Sequence, residues 1–382
     1  MRHLLVMLLS LCLALFLADA ILSLADDSLI LLGGIHILTS ARGFVFLFAL
    51  LMAIVVYVLM GVSPAIPKRL FLPVTLFSPV ASLAVIAFLI YNFNRVQQAA
   101  WFISLFQLIV GLCILSKVQG GLKFRWPLVS EKQLLDRRFS WGNVGGFFAI
   151  NVFVFLPAVV VYLFVCAALA VSHHSDGFLA LTPRGLTVQV RKYVRADGKS
   201  VQLVPMAHVG DPEFYRKLTQ SFPTNSLILM EGVSDHKNLL TNKISYKRMA
   251  NSLGLAEQHH EFNPRESQVI PADVDVEVFS TNTIDFLNLA MLAHARGVNA
   301  ETILKLTQYT PPPGFEERLF DDLLRKRNRR LLEEISAQLS QSDALIVPWG
   351  AAHMPEIAKE IQTSGFRLQE TKEYSVIRFR GR

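Results

Sequence analysis

Two apolar stretches far apart in this chain end in the same way. Leu203-Val204-Pro205-Met206-Ala207-His208 is followed by Pro212-Glu213-Phe214, and Ile346-Val347-Pro348-Trp349-Gly350-Ala351-Ala352-His353 by Pro355-Glu356-Ile357. In each, a strand-like run stops at a proline, small residues turn the chain, and a histidine stands just before a helix opened by Pro-Glu. Proline's fixed φ and glutamate's charge both suit a first helical turn. A third run, Leu227-Ile228-Leu229-Met230, ends in Glu231. An ionised carboxylate at the end of a core strand is costly unless it is paired, hydrogen-bonded or metal-bound. Two imidazoles and a carboxylate at neighbouring strand ends, where open sheets bind ligands, predict a shared site at His208, Glu231 and His353. Such a donor set suits a divalent ion (Zn, Mn or Co) with positions left for water and substrate.

A second irregularity points the same way. From Phe315 to Ser340 a helical stripe runs Phe320, Leu323, Leu324, Leu331, Leu332, Ile335 and Leu339, and the positions completing it are Arg327 and Asn328. Arg327 can hold Glu231, orient a substrate carbonyl or stabilise developing negative charge; a structural ion pair is the plainer use. Arg325, Lys326, Arg329 and Arg330 read as a solvated face. Asp273 and Asp275 alternate with apolar residues, as on one face of a strand, so one of them is a candidate fourth oxygen ligand or general base, with a solvated strand face the competing reading. His259-His260-Glu261, His236 and His294 read as surface. The chain has no His-Glu-x-x-His, Gly-x-Ser-x-Gly, Walker or dinucleotide motif.

The elements that must position these residues come from periodicity. Period-two alternation from Leu186 turns at Asp197-Gly198 and resumes at Val201–Val204, a hairpin. Then come a helix from Pro212 to Phe222, the strand Leu227–Met230, helical stretches through Leu253, and an apolar run Val269–Phe279. A helix over Asn282–Ala295, a break at Pro311-Pro312-Pro313-Gly314, the helix Phe315–Ser340, a strand Ala344–Val347, a helix near Pro355–Ser364 and an edge strand Tyr374–Phe379 complete the chain. This order predicts an α/β (α+β) domain with a central mixed sheet flanked by helices.

The part of the chain before this domain is different. The chain has 382 residues, 52% hydrophobic and 18% charged, and the 11 Lys/Arg and 5 Asp/Glu before His174 contrast with 26 and 25 after it. The basic excess is therefore a topology signal, and no argument for a nucleic-acid partner remains. Apolar runs at 4–24, 43–62, 70–91, 99–116 and 145–172 are long enough to cross ~30 Å of hydrocarbon, predicting about five transmembrane helices in 1–174 and a soluble domain in 175–382. Ser28–Leu38 reads as a re-entrant piece or a sixth crossing, Asp26-Asp27 as part of an outside loop, and no charge is expected mid-span, which argues against an ion pathway. Lys117, Lys123, Arg125, Lys132, Arg137 and Arg138 mark a cytoplasmic loop, as do Lys68 and Arg69. Alternation then puts the C-terminal domain outside, on the periplasmic or extracellular face of a bacterial inner (plasma) membrane. Residues 1–20 also read as a signal peptide. Cys12, Cys113 and Cys166 all lie in apolar runs, so the polar half has neither a disulfide nor a thiolate ligand.

The order of strand-end histidine, strand-end Glu, Arg-Asn helix and Gly-x-x-His resembles the TraB/TIKI family, grouped with erythromycin esterase-like and ChaN-like proteins, over about residues 185–380. The resemblance implies a metal-dependent protease whose two histidines and glutamate map onto His208, Glu231 and His353, with Arg327, Asn328 and Gly350 matching its helix and second glycine motif. This chain differs in having Pro205 where the first glycine would stand, and in carrying its membrane spans before the domain. The expectation is a membrane-anchored, metal-dependent hydrolase acting on a peptide or protein substrate. The alternative is a non-catalytic haem, metal or peptide-signal binder using the same pocket.

Overall fold

The structure, a computed structural model, describes residues 2–137, 139–223, 226–241, 246–264, 267–297, 299, 302, 309 and 311–379. Arg138 of the expected basic loop, and part of the helical stretches expected before Leu253, lie outside the described residues. The chain divides into two compact units, Met1–Cys166 and Ala167–Arg382. The boundary falls inside the last apolar helix, Leu156–His174.

The first unit is helical: α1 (Arg2–Gly33), α2 (Thr39–Val62), α3 (Lys68–Asn92), α4 (Val96–Gln119), α5 (Trp141–Ile150) and, after a π turn at Asn151–Phe155, α6 (Leu156–His174). Among the described residues, four helical stretches are long and apolar enough to cross a membrane: Arg2–Gly33, Thr39–Val62, Lys68–Gln119 and Trp141–His174. The third of these holds two of the five expected spans. It bends at a 3-10 turn, Phe93–Arg95, and folds back until the rings of Phe77 and Phe106 lie 6.0 Å apart. Leu9, Leu13, Phe16 and Leu17 of α1 pack with Val56, Met60, Phe71 and Leu115 in this unit's core. Gly111 lets α4 approach α1, since a Cβ there would meet Leu17 at 2.5 Å.

Three expectations are overturned here, one of them that no charge lies mid-span. Ser28–Gly33 is the end of α1 rather than a separate piece, because no helix breaker precedes Gly33-Gly34. Asp26 and Asp27 are not in a loop: with Asp19 they lie buried in α1, at 0%, 1% and 3% exposure. Arg42 and polar groups of the neighbouring helices make that burial tolerable.

The second unit is built on a mixed sheet. Its elements are β1 (Leu179–Thr182), β2 (Gly185–Val194), β3 (Ser200–Met206), β4 (Val209–Gly210), α7 (Pro212–Gln220), β5 (Leu227–Met230), α8 (Lys247–Leu253), β6 (Ala256–Glu257), α9 (Gln258–Glu261), β7 (Gln268–Pro271), α10 (Thr281–Arg296), α11 (Phe315–Phe320), a π turn at Asp321–Arg325, α12 (Lys326–Gln338), β8 (Ala344–Gly350), α13 (Met354–Thr363) and β9 (Arg367–Arg378). Strands β3, β8, β5 and β7 run parallel, while β2 is antiparallel to β1, β3 and β9. Both faces of the parallel part are covered, and alternate side chains divide between them. Val201, Leu203, Leu227, Leu229, Leu345, Val347 and Trp349 join Leu331 and Ile335 of α12 and Ile357 and Ile361 of α13. Val204, Met206, Ile228 and Ile346 join Phe214, Tyr215 and Leu218 of α7.

The hairpin, the strand Leu227–Met230 and the helices after Pro212 and His353 lie where the pattern puts them, and β1 is an additional strand. The expected strand Val269–Phe279 is shorter: β7 stops at Pro271, and Asp273 and Asp275 lie in the loop beyond it, where Asp275 caps a 3-10 turn. The expected continuous stripe from Phe315 is interrupted by the π turn. An extra residue per turn rotates the helix before it against the helix after it, so Phe320 is half exposed and Asp322 is buried, accepting hydrogen bonds from Ser280 and Lys326.

Candidate functional site

Strand parity places the first member of the site. Glu231 continues the period-two series of Leu227 and Leu229, so it leaves the carboxyl end of β5 on the α12 side of the sheet, the side Trp349 takes from β8. Arg327 and Asn328 stand four and three residues before buried Leu331, one turn along the inward stripe of α12. His353 caps α13, just past the end of β8. The sheet and two helices thus deliver four side chains to one place.

There they form a continuous network. Arg327 donates from Nε and Nη2 to Asp273 Oδ1 and Oδ2 at 2.9 and 2.6 Å, and Nη2 also donates to Glu231 Oε1 at 2.7 Å. The other Glu231 oxygen accepts the backbone N–H of Gly350. Asp273 is further fixed by the N–H groups of Gly232 and Val274. Asn328 Nδ2 donates to Glu356 at 2.6 Å, leaving its Oδ1 facing His353 Nδ1 at 2.6 Å. His353 Nε2 lies 3.3 Å from Arg327 Nη1 and 3.7 Å from Glu231 Oε1.

These contacts fix the tautomer of His353. Asn328 presents an oxygen, so Nδ1 carries the proton; the guanidinium can only donate, so Nε2 is an acceptor. The ring is neutral. Burial and the nearby Arg327 charge push its pKa down to about 4. For Arg327, burial alone would lower the pKa, but the Asp273 and Glu231 carboxylates outweigh it and raise it. Trp349 forms a wall of the site, its ring edge-to-face with His353 and under the guanidinium, its Nε1 donating to Leu229 O.

The expected residues are therefore distributed unevenly. Glu231, His353, Arg327, Asn328, Asp273 and Gly350 come together. His208 leaves the same edge of the sheet, since Met206 pairs with Gly350, but its exposed ring stacks on Tyr246 with centroids 5.1 Å apart. Among the described residues, the only three His, Cys, Asp or Glu ligand atoms within 4.8 Å of one another belong to Glu257, His259 and His260. A divalent ion does not fit at Glu231 and His353 as they stand, because a guanidinium sits between their acceptor atoms and both carboxylate oxygens are engaged.

His259 and His260 are exposed, as expected, and a carboxylate outside the His259-His260-Glu261 tract lies beside them. Buried Glu257, not Glu261, faces both rings at 3.7 and 3.5 Å, because the short helix α9 turns them back onto β6. This His/Glu triad can hold a metal ion. His236 is exposed and pairs with Asp275, and His294 is exposed near Tyr246. Two site members are missed by sequence reasoning. Glu356 stands in the Pro-Glu motif, where starting a helix already accounts for it, and Trp349 sits in a turn sequence whose apolar character accounts for it equally well. No family model, no curated protein and no solved structure matches this chain.

Proposed function

We propose that this chain is a membrane-associated hydrolase of TraB/TIKI-like type whose α/β domain acts on carbonyl substrates, peptides first, at the carboxyl ends of β5 and β8. The observation that carries the reading is the buried, neutral His353 with its Nε2 lone pair 3.3 Å from Arg327 Nη1. A base and a fixed cation at that spacing can reach the same reacting oxygen.

In this reading the bound substrate draws Arg327 Nη1 from the Nε2 lone pair to its carbonyl oxygen, a water gives a proton to His353 Nε2 while its oxygen attacks the carbonyl carbon, and the ring returns that proton to the leaving amine or alcohol as the C–N or C–O bond breaks. Asn328 holds the ring through Nδ1 and so keeps Nε2 as the acceptor. Arg327 draws the charge that develops on the carbonyl oxygen, and Glu231 and Asp273 hold the guanidinium in place. The reading includes the orientation expected from the loop charge bias, with this domain on the outer side of a bacterial plasma membrane.

The test is turnover of a fluorogenic peptide library and an ester panel by the purified full-length protein. A general base contributes roughly 10²–10⁴-fold, so His353→Gln should lower kcat by at least about 100-fold and Arg327→Lys should also lower it. A wild type that cleaves nothing in either panel, or a His353→Gln protein with wild-type rates, would overturn the proposal. A second reading rests on Glu257, His259 and His260: a domain that captures a divalent ion there without catalysis. Retained metal with no turnover would favour it.

A further inference from the structure

The helical unit carries a polar stripe that the hydrolase reading leaves unused and that stands independently of it. Asp19, Ser23, Asp26 and Asp27 recur at helical spacing on α1 and face inward. Asp27 is fully engaged, accepting from Arg42 at 2.6 Å, Gln97 at 3.1 Å and Ser104 at 2.7 Å. Asp26 accepts from Thr39 at 3.1 Å and Arg42 at 3.4 Å. Asp19 differs. Gln107 donates to its Oδ2 at 2.8 Å, but its Oδ1 accepts no hydrogen bond, although the residue is only 3% exposed.

Asp19 lines a cavity of about 570 Å³ between α1, α2, α3 and α4. Hydroxyls of Ser23, Thr39, Ser78, Ser82 and Ser104 line it too, and Phe46 and Phe77 are among its apolar walls. It adjoins an apolar groove of about 540 Å³ along α3 and α4, with which it shares Phe77, Ala81 and Ile103. Arg42 lines the cavity as well, but its guanidinium is already held by Asp27 and Asp26, which leaves Asp19 as the lining carboxylate that a cation would pair with. A bare ion would need a tight cage of oxygens, whereas this volume lies in the range of small organic ligands, roughly 300–1,000 Å³.

We propose that this cavity binds the ammonium head of an amphiphilic amine. The head donates to the Asp19 carboxylate and the surrounding hydroxyls, the aromatic faces of Phe46 and Phe77 support the charge, and the alkyl part lies in the apolar groove. The ammonium can come from a free amine or from an aminophospholipid headgroup.

The experiment uses the full-length protein in a non-ionic detergent, titrated with octylammonium chloride and separately with 1-octanol, alongside native mass spectrometry after exposure to phosphatidylethanolamine or phosphatidylglycerol. Saturable octylammonium binding, with octanol at least about tenfold weaker and Asp19→Asn losing about tenfold or more, is expected from the loss of one charge-assisted hydrogen bond. Retained phosphatidylethanolamine that octylammonium displaces assigns the head to a lipid; octylammonium binding without retained lipid assigns it to a free amine. Ser82→Phe, which fills the cavity and keeps Asp19 in the sequence, should abolish binding while leaving the helical circular dichroism unchanged, and it serves if Asp19→Asn does not fold. Equal binding of octanol and octylammonium, wild-type affinity in Asp19→Asn or in Ser82→Phe, or no binding of either probe would overturn the proposal.

Discussion

Acidification from pH 7 to pH 4 will destabilise the α/β unit through one imidazole. His353 has its pKa lowered from 6.5 to about 4, by burial first and then by the Arg327 charge. The unfolded chain takes up this proton near pH 6.5, whereas the folded chain resists it until about pH 4. Between those values the unfolded state binds more protons, so stability falls as pH falls; the contribution is complete above about pH 6.5 and fully lost below about pH 4. The difference, 2.5 pKa units at 1.36 kcal/mol each, corresponds to about 3 kcal/mol. With the ¹³C-labelled full-length protein, the Cε1 resonance that disappears in His353→Gln should titrate near pH 4. Urea unfolding monitored by Trp349 fluorescence, with Trp101, Trp126 and Trp141 replaced by Phe, should show the pH slope in the parent and a flatter one in His353→Gln. A midpoint for His353 at pH 6 or above, or an equal slope in the variant, would refute the account of a neutral buried base. If His353 is the catalytic base, the acid limb of kcat/KM will also fall near pH 4.

Arg327→Met leaves the partly buried Glu231 and the enclosed Asp273 carboxylate without their cation, which typically costs about 3–5 kcal/mol; the urea midpoint of the α/β unit should drop accordingly, and an unchanged midpoint would show that water replaces the guanidinium. Asp322→Ala removes the acceptor for Ser280 N and Oγ at the start of α10 and should cost about 1–3 kcal/mol, read by thermal melting. Zn²⁺ titration of the apo protein should give binding that His260→Ala abolishes and His208→Ala leaves intact, because the convergent ligands are Glu257, His259 and His260; the opposite pattern would return the metal to His208.

The sequence is most informative where a residue's fate depends on its near neighbours. Alternation and the Pro-Glu starts locate the hairpin, β5, α7, β8 and α13, since strand and helix periods are local properties. The same logic selects Glu231, His353, Arg327 and Asn328 as anomalies in otherwise apolar patterns. It fails at the π turn, where one extra residue, invisible in composition, exchanges Phe320 for Asp322 on the inner face. It fails again for Asp26 and Asp27, whose partner Arg42 lies beyond a turn, so that the pair reads as a polar loop.

The amino-acid sequence by itself determined that an apolar helical half precedes a mixed α/β domain, and which polar side chains sit at strand ends and on core stripes. Only the tertiary structure decided who meets whom: that Arg327 lies between Glu231 and His353, that His208 stacks on Tyr246, and that Asp19 keeps one buried carboxylate oxygen unpaired beside a cavity. The physical reason is that burying a charge sets only the requirement for a partner, and many residues of the right sign satisfy that requirement. Which one does so depends on strand register and helix rotation over distances no local pattern records.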